Sequence, residues 1–512
     1  MKFNFSQRLF LPLISFVVIP SALVSLPSVA SNPDTSLRIE QQDALSAVEK
    51  ENAILAEELQ DEEQRQNAQQ SSSNLIDPSI ADPESTFSID LSDSNQVAQA
   101  LHLSAQQHNW GLAQQLLSHY QLFDNADPLL IHYVRGGIYR SQGELKRAQE
   151  EYTQLITLKP NFMPAQLELA RVLFENHNNS ESLELFEQIE ASLPSNNPRT
   201  QGIQRTIDVF SSALKARDDW GGSISFGPSF NDNLNSSSES YTCLVHSDIG
   251  QCIIDRVTPK KQQAFGIDYE ASLNKRTSLT GHHGVSFSGL TYGTRYSGHD
   301  EYDEQTVKAS FGYSYQSQRD RVSFAPQFEF NTFAGKSLYL SSGIKLDWFK
   351  TVNKQSAFKF ETKADYQNYQ PGKLDYQSDW QFSTLFTYWY QLPEKWLLFG
   401  GLDWTDKRND QQVHAYTLSG VRLGVNKNVS PWLDISLFAS LRDRRYQDFS
   451  ALLGDKRHDR EQNYTLVIHS PSIEYLGVSP TLSWTHKRVK SNIDWLYTYQ
   501  QNEVSLKLTK RF

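Results

Sequence analysis

From Trp220 to Phe512 the chain alternates between apolar and polar positions with a period of two. In one segment Val322, Phe324, Phe328 and Phe330 share one parity, and Ser323, Gln327, Glu329 and Asn331 take the other. Side chains of a strand point alternately to opposite faces, so such a segment predicts a strand with one greasy face and one wet face. The last segment repeats the pattern, with Val504, Leu506, Leu508 and Phe512 against Ser505, Lys507, Thr509 and Arg511. A soluble sandwich would bury its greasy faces, whereas a membrane barrel turns them to lipid and keeps the polar face for its lumen. The ending selects the barrel. A closing strand that stops on a terminal aromatic is the pattern of outer-membrane barrels, and Val504, Leu506, Leu508 and Phe512 are its candidate assembly signal.

Alternation and turn residues place strand starts near Trp220, Gln262, Val285, Thr306, Val322, Leu338, Ala357, Gln377, Trp396, His414, Trp432, Asn463, Val478 and Thr498. That makes fourteen strands, an even number as a bacterial barrel requires. Short connections fall near Arg276, then at Gln318-Arg319-Asp320, Val352-Asn353, Leu392-Pro393-Glu394 and Asn428 to Pro431. Two long ones, from about Asn233 to Lys261 and about Gln447 to Gln462, fall on the opposite side. Short inner turns and long outer loops are what a barrel predicts when the domain before it is periplasmic. Pro471 and Pro480 blur the twelfth and thirteenth strands.

Upstream, residues 93–216 switch to helical spacing. Pro160 and Pro194 stand 34 residues apart, the period of a tetratricopeptide repeat. In the first of these two repeats Gly136 and Tyr139 lie on one helix, Gly143 at the turn, and Ala148 and Tyr152 on the second helix, which Pro160 ends. Small Gly136 and Ala148 let the helices approach, the two tyrosines fill the space between them, and proline cannot continue a helix. The next repeat, Pro164 to Pro194, places Ala170, Leu173 and Phe186 correspondingly, and an earlier degenerate unit supplies Ala113 and Leu117. Arg199 to Arg217 reads as a capping helix with Ile203, Ile207, Phe210 and Leu214 on one face. The whole is an α+β multidomain chain: an N-terminal α-helical tetratricopeptide-repeat domain followed by a 14-stranded antiparallel transmembrane β-barrel over 217–512.

The N-terminus changes the picture by placing the chain outside the cytoplasm. Lys2 and Arg8 precede a largely apolar run from Leu9 to Leu26, and Ser28-Val29-Ala30 is a small-residue cleavage site. This predicts a signal peptide over 1–30; Pro12 and Pro20 interrupt the run and argue against a retained anchor helix. Ser31, not a cysteine, directly follows that site, so the protein is not itself expected to be a lipoprotein. Residues 31–92 read as a flexible periplasmic tether, with a polar run at Gln69-Gln70-Ser71-Ser72-Ser73 and only a short helical stretch over Ala44 to Gln60.

A net charge of −11 argues against a nucleic-acid binder, which needs a basic face. Aromatics make up 12 % of the chain, in keeping with the interfacial girdles of a barrel. The mean hydropathy of −0.55 excludes a helical membrane protein but not a barrel, half of whose strand residues are polar.

Few residues suggest chemistry. Cys243 and Cys252 share the first long outer loop, as a disulfide clip favoured by an oxidising compartment or as two free thiols. Adjacent His282 and His283 would face opposite ways on a strand, which disfavours a shared metal. Gly335-Lys336-Ser337 imitates the end of a phosphate loop, but no helix follows and a hairpin tip is the better reading. Strand parity aims Asp268, Glu270, Lys308, Glu329, Lys345, Asp347, Lys359, Glu361, Lys363, Lys507 and Arg511 into the lumen. The stretch Asp443 to Glu461 reads as a charge-rich outer loop: a plug, a gate or a solvated loop. No acid–base or nucleophile set stands out, so neither an enzyme nor a cofactor is expected.

The opening of the barrel runs Trp220-Gly221-Gly222-Ser223-Ile224-Ser225-Phe226-Gly227-Pro228-Ser229-Phe230-Asn231-Asp232-Asn233-Leu234-Asn235. The tail carries Lys490-Ser491-Asn492-Ile493 before a strand ending Lys510-Arg511-Phe512. With a signal peptide, a short repeat domain and a barrel in that order, the chain resembles the surface lipoprotein assembly modulator family (Slam). The resemblance implies an outer-membrane translocator that moves lipoproteins, or soluble haem- and metal-scavenging proteins, to the cell surface. Its partners would be the exported protein, outer-membrane lipid, and periplasmic chaperones or the barrel-assembly machinery, with a monomeric barrel. A repeat-plus-barrel exporter of polysaccharide is the alternative, though such systems carry longer repeat arrays; a diffusion porin would not need the repeats.

Overall fold

The computed structural model describes residues 90–194, 200–247, 249–353, 355–369, 374–430, 432–470, 473 and 477–512. The expected signal peptide and nearly all of the expected tether lie outside these residues.

Among the described residues seven helices precede the strands: α1 (Ser94–Gln106), α2 (Trp110–Tyr120), α3 (Pro128–Ser141), α4 (Leu145–Leu158), α5 (Met163–Glu175), α6 (Asn179–Ser192) and α7 (Gln201–Arg217). Local chemistry sets several starts. Asp93 caps α1 by accepting from Asn95 N at 2.9 Å, and Asp127 caps α3 by accepting from Leu129 N at 2.9 Å, just ahead of Pro128. The helices pair as α1–α2, α3–α4 and α5–α6, and each pair turns on one residue with positive φ: His108 (55°), Gly143 (75°) and His177 (60°). Glycine adopts this conformation freely; histidine pays a steric cost there.

Packing follows the repeat. A Cβ on Gly136 would lie 2.6 Å from Cζ of Tyr152, so the glycine is what lets α3 press against the α4 ring. Tyr152, Ala148 and Leu155 are buried with Ala165 and Val172 in one core. Ala170 and Phe186 belong to the next, where Phe174 and Phe186 pack on Phe210 of α7 with ring centroids 4.9 and 5.3 Å apart. Burial of such a side chain contributes about 1.5–3 kcal/mol. Tyr139 is half-buried with the Arg147 guanidinium over its ring, and Pro160 and exposed Pro194 follow the ends of α4 and α6.

The barrel strands are β1 (Trp220–Asn231), β4 (Ala264–Ser278), β5 (His283–Tyr296), β6 (Glu304–Gln316), β7 (Asp320–Phe333), β8 (Lys336–Asn353), β9 (Ser356–Tyr369), β10 (Asp379–Leu392), β11 (Trp396–Lys407), β12 (Tyr416–Ser430), β13 (Leu433–Tyr446), β14 (His458–His469), β15 (Val478–Ser491) and β16 (Tyr499–Arg511). Each pairs antiparallel with its neighbours, and β1 closes the ring on β16. A further hairpin, β2 (Tyr241–His246) and β3 (Cys252–Val257), forms its own sheet in the first outer loop. A short helix, α8 (Asp494–Tyr497), lies in the last outer loop. The parity is as the sequence predicts: on β4, Phe265 is 70 % and Ile267 58 % exposed on the lipid side, while Asp268 between Ile267 and Tyr269 is buried. Ala334 (φ 50°) and Gly335 (φ 69°) form the two-residue turn between β7 and β8, the hairpin tip expected there.

Three local expectations change. Arg276 lies inside β4, and the turn comes after Ser278. β14 starts at His458 rather than Asn463, and β13 runs to Tyr446. The outer loop between them therefore spans only 447–457, and much of the charge assigned to it belongs to strands. The β2–β3 hairpin escaped detection because its apolar residues are consecutive rather than alternating.

Candidate functional site

The lumen wall is a lattice of ion pairs. Asp268 accepts from Thr294 Oγ1 at 2.8 Å, and Lys507 Nζ lies 3.3 Å from Glu270. Lys308 meets Glu329 at 3.1 Å, and the Tyr339 hydroxyl donates to Glu329 at 2.7 Å. Lys345 bridges Asp347 (3.3 Å) and Glu361 (3.2 Å), and Lys359 also reaches Glu361 (3.4 Å). Lys363 lies 4.0 Å from Asp365. Arg511 sits half-buried at the inner end of β16, opposite Ser223.

Sequence reasoning missed a deeply buried group. Asp403 on β11 accepts from Arg422 Nε on β12 at 2.6 Å and from Arg442 on β13 at 2.9 Å (Nε), and the three side chains are only 2–3 % exposed. Arg444 pairs with Glu461 at 2.8 Å, both 1 % exposed. The signal available was parity: Asp403 stands between Leu402 and Trp404, which both face lipid. Arg442 and Arg444 were hidden by the density of charge around them, which imitates a loop. Pairing of this kind places charges inside the barrel without leaving an uncompensated buried ion.

At the outer end the loops fold inward. The Arg457 guanidinium stacks 3.4 Å from the Tyr497 ring centre and 4.7 Å from that of Tyr446, and pairs with Asp459 at 2.7 Å. Tyr446 continues the lumen-facing parity of β13, so α8, which carries Tyr497, sits over the mouth. The opening motif of the barrel acts here. Asp232 accepts from Asn502 N and Nδ2, both at 2.7 Å; Gln501 Nε2 donates to Asn231 Oδ1 at 3.0 Å; Asn233 Nδ2 donates to Gln500 O at 2.8 Å. These bonds stitch the first outer loop to the start of β16 across the closing seam. Cys243 and Cys252 form a disulfide across the β2–β3 hairpin.

At the inner end the repeat domain is seated on the β4–β5 turn. Asp218, just after α7, accepts from Ser278 N (2.8 Å) and Oγ (2.7 Å). Glu181 accepts from Gly281 N at 2.5 Å, and Asn179 Nδ2 donates to Ser278 Oγ at 3.1 Å. His177 lies buried beside them, with the Gln316 amide nitrogen 3.4 Å from its Nδ1. Burial, reinforced by Arg217, Arg276, Arg321 and His282, pushes the His177 imidazole down to about 3. Burial also lowers the Arg217 guanidinium to about 10, still charged at neutral pH; it donates to Phe174 O at 2.9 Å and to Asn179 Oδ1 at 3.0 Å. His282 lies in the turn and His283 starts β5 beside Tyr313, and both rings lie near that of Tyr315, with centroids 5.4 and 5.8 Å away. Among the described residues no group of three or more His, Cys, Asp and Glu is placed to hold a metal.

A closed barrel of fourteen antiparallel strands, apolar outside and ionic inside, with helical repeats seated on its short-turn end, defines an outer-membrane β-barrel protein with a repeat domain at its periplasmic mouth. A family model described as surface lipoprotein assembly modifier matches residues 220–512, and one described as that family's N-terminal TPR repeats matches 90–186. The chain belongs to the surface lipoprotein assembly modifier family. It is 34 % identical to the hemophilin secretion modulator of Acinetobacter baumannii, over 96 % of this chain and 98 % of that protein. It is 26 % identical to surface lipoprotein assembly modifier 1 of Haemophilus influenzae, covering 79 % and 82 % of the two chains. Against the protein of the same name from Neisseria meningitidis serogroup B the identity is 23 %, covering 75 % and 76 %.

Proposed function

We propose that this protein exports lipoproteins or soluble haem-binding proteins of the hemophilin kind across the outer membrane, with the barrel as conduit. The observation that carries the reading is the full-length match to a hemophilin secretion modulator, over 96 % of this chain. The architecture supports it. A polar lumen lined by ion pairs offers a path to an extended chain, and the repeats seated at its inner end offer a concave surface of the kind that holds peptide segments. Repeats capture the cargo in the periplasm, alone or from a chaperone, and deliver it to the barrel, which works as a monomer once the assembly machinery has inserted it. Folding of the cargo outside biases its passage. No catalytic step is part of this reading, and export of polysaccharide or passive diffusion is not favoured.

The test is surface display. The lipoprotein or hemophilin encoded beside this chain's gene is expressed with and without the protein, and intact cells are probed with antibody and protease while the medium is assayed for released cargo. Exposure or release only in its presence, lost when residues 93–216 are deleted, supports the reading. Equal exposure without it sinks the reading for that cargo.

A further inference from the structure

The β2–β3 hairpin does not belong to the barrel wall, yet it is anchored over its mouth. Ser238 Oγ and Ser240 Oγ both donate to Trp495 O, at 2.6 and 2.7 Å, and the Arg256 guanidinium stacks 3.5 Å from the Trp495 ring centre. Trp495 is in α8, whose Tyr497 is fully buried against Arg457 above the lumen. The base of the hairpin is thus fixed to the inward-folded loop at the outer exit, and the Cys243–Cys252 disulfide ties its two strands together.

Between base and tip the hairpin is apolar and uncovered. Leu244, Ile253, Ile254 and Val257 are 51 %, 64 %, 52 % and 62 % exposed. Its two strands pair with each other and, among the described residues, with no third strand, so both outer edges present main-chain donors and acceptors. Exposed apolar faces on an open edge are an unusual pairing, since proteins normally blunt such edges. Lipid can cover the faces but cannot satisfy the edges, and open sheet edges are not tolerated against hydrocarbon. One occupant answers both demands: an extended polypeptide, bonded to an edge through its main chain while alternate side chains cover the apolar face. Such recognition is largely independent of sequence, and the chain that arrives at this position unfolded is the one leaving the lumen.

We infer that the β2–β3 hairpin is the receiving site for the exported polypeptide, adding the emerging chain as a strand at the outer mouth. The inference rests on the conduit reading above.

The test places the photo-crosslinker benzoylphenylalanine singly in the full chain, in cells making the same neighbouring lipoprotein or hemophilin as cargo. Three positions are compared: Ile253 on the hairpin, Ser440 on the lumen face of β13, and Leu452, exposed on the outer loop between β13 and β14. The expected result is cargo crosslinked from Ser440 and Ile253, and little or none from Leu452. Crosslinking from Ser440 with none from Ile253, or from Ile253 only to lipopolysaccharide or to a second copy of this chain, overturns the hairpin proposal and leaves the conduit standing. Equal yield from Ile253 and Leu452 reduces the hairpin to a bystander and also overturns it. Cargo captured from Ile253 but not Ser440 removes the conduit, and with it the claim that the hairpin receives a chain leaving the lumen; capture from neither removes both.

Discussion

Arg442 on β13 reaches Asp403 on β11 across the whole width of β12, with Nη2 2.7 Å from the carboxylate. The strand between them makes room. Gly420 is in register with both residues, and a Cβ there would lie 2.5 Å from Arg442 Cγ. Arg422 completes the group from β12 itself, donating to the other carboxylate oxygen.

Removing the shared carboxylate leaves two buried guanidinium groups without their counter-ion. Asp403→Ala is expected to destabilise the folded barrel by about 3–5 kcal/mol, the cost of breaking a buried ion pair from one side. Gly420→Leu acts on the same pair without touching a charge, by blocking the path of Arg442. Heat-modified electrophoretic mobility and urea unfolding in lipid vesicles read both effects; a wild-type midpoint for Asp403→Ala contradicts the account.

In the repeats, Gly136→Ala puts a methyl group against the Tyr152 ring. Overpacking of this kind costs about 1–3 kcal/mol, and shortening the ring side chain relieves it. The Gly136→Ala melting temperature is expected to fall, and adding Tyr152→Leu is expected to recover part of the loss. Additive losses in the double variant contradict the direct contact.

His177 makes the seat of the repeat domain sensitive to acid. Its folded pKa of about 3 lies below the ordinary histidine value of 6.5, so it is neutral when docked and takes up a proton when released. The stabilisation is complete above pH 6.5 and is lost as pH falls from there toward 3, by about 1.4 kcal/mol per pH unit. Protease cleavage between 194 and 220 is therefore expected to rise on acidification. In His177→Gln the rise should flatten; the same slope in both proteins would place the sensitivity elsewhere.

At the seam, Gly222 and Phe512 exchange both backbone hydrogen bonds, Gly222 N to Phe512 O at 2.9 Å and Phe512 N to Gly222 O at 3.0 Å. A Cβ on Gly222 would come within 3.0 Å of the Phe512 ring. Gly222→Val and deletion of Phe512 are both expected to lower the amount of assembled, heat-modifiable barrel in the outer membrane. Full assembly of the deletion would show that the seam closes without its last pair. Val504, Leu506 and Leu508 line the lipid side of the same strand, and as with Phe512 their part in assembly is a proposal that this assay also addresses.

Alternation and helical spacing along the chain fix the barrel strands, their two faces and the repeat period. Those follow from covalent geometry: successive strand side chains must alternate, and a helix pair of fixed length must return after about 34 residues. Val322 and Phe324 therefore declare a lipid face with no knowledge of their neighbours. The same rule fails where alternation stops, as in the hairpin with consecutive Ile253 and Ile254, and where charges crowd, as at Arg442 and Arg444. Which charges meet depends on the closed, folded barrel. Asp403 finds Arg442 because two strand registers bring both beside Gly420, and a register is a property of strands paired together. The seating of Asp218 on Ser278, and of the hairpin base on Trp495, likewise depends on segments far apart in the chain, placed by closure of the barrel. Those long-range placements carry the hairpin proposal, and no local pattern encodes them.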